Sequence, residues 1–159
     1  MKTIRFVSLL FCMFMLQLAS ASAFDSEPVL SVVSTQPNGT LKVRVRNNSG
    51  ISLRLWKDSN SWGASRWRVL LVRNGRLIAM NEKPQSFSSN SPEFFEIKPK
   101  DSVVQNLDVN DGTWAKPTSH PVSFLPGDIV IVVYDVPFDH ECLSQSVWYG
   151  VASTISTIQ

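Results

Sequence analysis

Disulfides cannot hold this chain together. It has two cysteines, Cys12 and Cys142, and Cys12 falls in an N-terminal segment expected to be removed, so no intramolecular pair remains. Histidine is equally scarce. His120 and His140 are the two, and neither H-x-H nor C-x-x-C spacing occurs. No serine stands in a G-x-S-x-G setting, which removes one common nucleophile motif. An excess of one charge is missing as well. The chain holds 15 Lys+Arg and 13 Asp+Glu, and the expected leader takes Lys2 and Arg5 but no acid, leaving 13 against 13. A domain of balanced charge lacks the net basic excess usual in nucleic-acid binders, so no nucleic-acid partner is expected, and the balance lends no support to a local patch. Finally, no stretch past residue 23 keeps helical periodicity for three turns.

Residues 1–23 have the three-part layout of a secretory signal peptide: Lys2 and Arg5, an apolar run from Phe6 to about Leu18, then small residues offering A-x-A cleavage sites that end before Phe24. The apolar run is too short for a comfortable bilayer span, so no stable membrane insertion is expected after cleavage. The remaining residues, 24–159, suit one domain with its own core. They predict an exported protein, periplasmic or extracellular.

The punctuation of that domain is all-β: short apolar runs separated by Pro, Gly, Asn, Asp and Ser. Strands are predicted at 29–34, 41–46, 51–55, 66–73, 76–80, 94–97, 102–109, 129–134 and 146–153. In Leu41-Lys42-Val43-Arg44-Val45-Arg46 the alternation is strict, with the aliphatic residues on one face and the bases on the other. Asn74-Gly75 is the strongest hairpin signal, since a type I′ turn needs positive φ at both central positions. Leu125-Pro126-Gly127-Asp128 has Pro and Gly where a type II turn wants them. It precedes Ile129-Val130-Ile131-Val132-Val133-Tyr134, an unbroken β-branched run expected at the centre of a sheet. Eight or nine antiparallel strands bury their apolar faces by stacking as two sheets, so a β-sandwich is expected, with a β-barrel as the alternative.

Four stretches resemble secreted bacterial immunoglobulin-like modules, and among these the BsuPI-type proteinase-inhibitor domains. They are Asn47 to Leu53, Gly75, Pro99 to Ser102, and Pro126 to Tyr134. Lys100 stands where such modules commonly have Gly, and the tryptophan-rich segment has no counterpart in the pattern. The resemblance implies an immunoglobulin-like sandwich and, as one functional alternative, a small secreted inhibitor-like protein.

The sequence RLWKDSNSWGASRWRV, residues 54–69, concentrates three tryptophans and four bases. Exposed indoles on a β-surface stack on sugars or on apolar partner surfaces. Trp67 shares parity with Val69 and Leu71 and is expected in the core. Trp56 lies opposite Ile51, Leu53 and Leu55 in parity, and Trp62 sits in a polar loop, so both are candidate contacts. Arg54, Arg66 and Arg68 either form an anion-recognising cluster or lie flat over the tryptophans, and the second is the more usual arrangement. The binding residues predicted are therefore Trp56, Trp62, Arg54 and Arg66, with the 81–92 loop as neighbour. A competing class is a metal or redox protein using His140 and Cys142. A pair of Cys142 with His120 or His140 is the sole nucleophilic arrangement on offer, and paired carboxylates acting as acid and base have no convergence that a sequence can show. The reading is an exported, non-catalytic binding module without a cofactor, recognising a protein or a glycan; its oligomeric state is not legible.

Overall fold

The structure, a computed structural model, describes residues 27–87 and 90–159. The expected signal peptide lies outside the described residues. Ten strands and one short helix follow in order: β1 Pro28–Thr35, β2 Thr40–Asn47, β3 Leu53–Trp56, β4 Trp67–Arg73, β5 Arg76–Glu82, β6 Phe94–Ile97, β7 Ser102–Asp108, β8 Trp114–Ala115, β9 Ile129–Val136, α1 His140–Ser144 and β10 Gly150–Thr157.

They form a three-stranded sheet in the order β1-β2-β7, a five-stranded sheet β10-β9-β4-β5-β8, and the pair β3-β6. All pairings are antiparallel, and among the described residues no sheet closes into a barrel, which removes that alternative. The inward residues of β2 (Leu41, Val43, Val45), of β4 (Trp67, Val69, Leu71) and of β9 (Val130, Val132, Tyr134) join one buried cluster with Leu53, Leu55, Met80 and Trp148. Period-two alternation puts them there.

Turn chemistry sets the register. Asn74 and Gly75 take φ of 51° and 72°, the left-handed pair a type I′ hairpin demands. Gly127 takes φ 88° and Asp128 N donates to Leu125 O at 3.1 Å, closing the expected Pro-Gly turn. Lys100 also adopts a left-handed φ of 65°, a backbone conformation that lysine rarely takes.

Three elements differ from expectation, the first being the two-residue strand β8, which pairs with the end of β5 in a stretch where no strand is predicted. Residues 140–144 form a helix, capped by Asp139, whose carboxylate accepts from Cys142 N at 2.8 Å. Five residues are too few for a periodic signal. The last strand starts at Gly150 rather than near 146, because Ser146 turns with φ 53° and Trp148 folds into the core.

Candidate functional site

The tryptophan-rich segment proves to be a built corner. Trp56 is 1% exposed, so the expectation that parity would turn it outward is overturned. The cause is the loop after β3, which folds back over the strand's second face. Asn60 organises that loop: its Oδ1 accepts from Trp62 N and Gly63 N, both at 3.0 Å, and its Nδ2 donates to Glu93 O at 2.8 Å. Gly63 then lies so near the chain that a Cβ there would meet Lys57 O at 2.1 Å. Trp62 is half-buried, its ring 5.9 Å from that of Trp56. The neighbouring segment is the predicted one, since Ser61 N donates to Asn90 Oδ1 at 3.1 Å.

The indole N–H of Trp56 is the one buried side-chain nitrogen or oxygen among the described residues without a hydrogen-bond partner. The Cys142 sulfur, a weak acceptor, lies nearby without reaching hydrogen-bond geometry.

The arginines are likewise held inside the molecule's own contacts. Arg54 lies over the Phe94 ring, 4.7 Å from its centroid, and Nη1 donates to Gln145 O at 3.0 Å. This is the stacked arrangement, though on a phenylalanine rather than an indole. Arg66 Nε donates to Trp62 O at 2.6 Å, and Arg68 pairs with Asp135 at 2.6 Å. A shallow cavity of about 240 Å³ opens beside Arg54, Glu96 and Trp148, with Ile51 at its margin. Ile51, expected inward, is exposed there. Trp67 is buried as expected; Trp114 and Trp148, for which the sequence makes no prediction, are buried too.

Behind this corner Glu82 receives the Trp67 N–H at 3.0 Å. Its carboxyl is pushed up to about 7, first by burial, which the amides of Trp67 and Arg66 offset in part while the charge of Asp58 adds to it. A raised carboxyl favours the protonated folded state. Its contribution to stability is full below the ordinary value of 4.5 and lost as pH rises through about 7. Glu82→Gln keeps an acceptor for Trp67 N and is expected to match the wild type at pH 5 and exceed it at pH 8. The gain should be about 1–2 kcal/mol, less than the full shift because the group is partly solvated. Thermal unfolding at the two pH values checks this; parallel pH dependence in both proteins would contradict it.

The residues of the metal and redox alternative do not converge. The His140 side chain is 88% exposed, whereas Cys142 is fully buried with its sulfur 3.8 Å from Pro137 O. Burial raises the Cys142 thiol above its ordinary range. Among the described residues no three His, Cys, Asp or Glu side chains gather around a common point suited to a metal ion.

The surface that sequence reasoning missed is the outer face of the five-stranded sheet. The pairing of β10, β9, β4 and β5 lines up Ile155, Ile131, Leu70 and Ala79 in one row, and Thr157, Ile129, Val72 and Leu77 in the next. These residues alternate with the buried ones, so they point away from the core. Ile155 is 69% exposed and Leu77 61%. The three-stranded sheet is the contrast: its outer face carries Lys42, Arg44 and Arg46. A signal for the apolar face did exist. An unbroken β-branched run such as 129–134 is the pattern of a strand covered on both faces, and this strand is covered on one.

No protein-family model matches the chain, and neither a curated protein nor a solved structure matches it.

Proposed function

We propose that the protein is an exported, non-catalytic binding module of immunoglobulin-like sandwich architecture, whose contact surface is the outer face of its five-stranded sheet. The observation that carries this is the double aliphatic row across β10, β9, β4 and β5. Contiguous apolar patches of this extent on soluble proteins mark contact sites. The burial of four indoles and the half-burial of Trp62 withdraw the flat stacking platform a glycan would need, which favours a protein partner. The sealed Cys142 sulfur supports the non-catalytic part, because it is the nucleophile of the one Cys–His arrangement the sequence offers. The glycine-like turn at Lys100 supports the immunoglobulin-like part. A photoreactive residue placed at Ile155 tests the reading in the expressing cell. A discrete protein adduct is expected; absence of any adduct would remove this face as the contact surface.

A further inference from the structure

We infer that the partner on this face is a second copy of the chain, stacked face to face about a two-fold axis. The inference rests on the preceding reading of the outer face and names its occupant.

Size is the first support. Four strands about 4.8 Å apart and seven or eight residues long present roughly 500 Å² in projection, and more as textured accessible surface. Standard interfaces bury about 600–1,000 Å² per partner, so the face approaches what a stable dimer needs.

Shape is the second. Two like faces can stack only about an axis lying in the interface plane. Placed along the strands between β9 and β4, that axis sets β10 of one copy over β5 of the other, and β9 over β4. The row then meets itself reversed: Ile155, the most exposed large apolar side chain among the described residues, falls over Ala79, and Ile131 over Leu70. A protruding side chain opposite a small one is the large-to-small fit that stacked sheets use, about 10 Å apart. The self-complementary interface is of the isologous kind that two-fold dimers share.

Charge is the third. With 13 bases and 13 acids in residues 24–159, two copies approach without net repulsion. The bases of β2 lie on the other sheet, away from the contact. The aliphatic rows themselves carry no charge; the flanking row within the same area holds the half-exposed Arg68, which would enter the contact already paired with Asp135 of its own copy.

Sedimentation of the purified protein and of two variants tests this. The wild type is expected at twice the chain mass at about 10 µM. Leu70→Lys and Ile155→Lys each place two charges in the contact, one from each copy, and are expected to weaken association by about a hundredfold. Because Ile155 is largely solvent-exposed in one chain, its variant keeps the fold even if Leu70→Lys does not. A wild type that stays monomeric at that concentration, or an Ile155→Lys dimer as tight as the wild type, would overturn the inference. An adduct at position 155 with the mass of a different protein would also overturn it while leaving the binding reading intact, whereas no adduct removes both.

Discussion

Replacing Asp128 by alanine is expected to lower stability by about 3 kcal/mol, the lower end of what breaking a buried ion pair costs. Arg73 and Asp128 meet in a two-point fork, Nε to Oδ1 at 2.8 Å and Nη2 to Oδ2 at 2.6 Å. Asp128 is 3% exposed and also accepts the Leu125 N–H at 2.8 Å, so the carboxylate holds the turn that launches β9. Arg73 Nη2 donates further to Ser123 O at 2.6 Å. Alanine would leave a partly buried guanidinium without its counter-charge and the Leu125 amide without an acceptor. Arg73 keeps some solvent contact, which is why the lower figure applies. For a domain of this size the loss corresponds to a fall in Tm of about 10 °C. Arg73→Met combined with Asp128→Ala should recover part of it, since no charge is then left behind. The pH dependence has a definite sign. The Arg73 hydrogen bond holds the Asp128 carboxyl below its usual range, so the stabilisation is present above 3.8 and lost as pH falls through the lower folded value. Equal acid sensitivity of wild type and Asp128→Ala would contradict this account.

Gly63→Ala is the second large effect. The new methyl would sit 2.1 Å from Lys57 O and 2.5 Å from Lys57 C, and both atoms are backbone. Neither can swing aside as a side chain tip would, so the loop from 57 to 66 must lift. Overpacking of this kind costs about 1–3 kcal/mol. Lifting the loop also uncovers Trp56, which adds part of the roughly 1.5–3 kcal/mol that burial of a large side chain contributes. A total loss of about 2–4 kcal/mol is expected, with greater quenching of tryptophan fluorescence by acrylamide. Unchanged quenching and Tm would show that the loop does not seal the indole.

That loop also marks where the sequence stops being readable. Strand parity placed Trp67 in the core correctly, because β4 is a seven-residue strand whose inner neighbours Val69 and Leu71 fix its face. Parity failed for Trp56 because a strand has two faces and a covering loop can bury the second. The cover depends on one close approach at Gly63 and on the amide of Asn60 reaching Glu93, 33 positions away. Neither contact has a periodic signature. The same gap hides the role of Asn47. It reads as a turn residue and a glycosylation sequon, yet it is fully buried. Its Nδ2 donates to Ile51 O at 2.7 Å and to Ile97 O at 2.9 Å, which closes the site to glycosylation in the folded chain. The turns at Asn74-Gly75 and Pro126-Gly127 were legible, since positive φ there selects residue types directly, whereas the turn at Ser146 carries no such signal. The aliphatic outer face was written in residues 129–134, but a β-branched run does not say whether the second cover belongs to the same chain.

The most direct test of that face is photo-crosslinking in the expressing cell from three positions: Ile155 and Leu77 on the outer face of the five-stranded sheet, and Arg44 on the outer face of the three-stranded sheet. Discrete adducts from 155 and 77, with none from 44, are the predicted result. Adducts of equal yield from all three positions, or from 44 alone, would contradict the assignment of this face as the surface through which the protein acts.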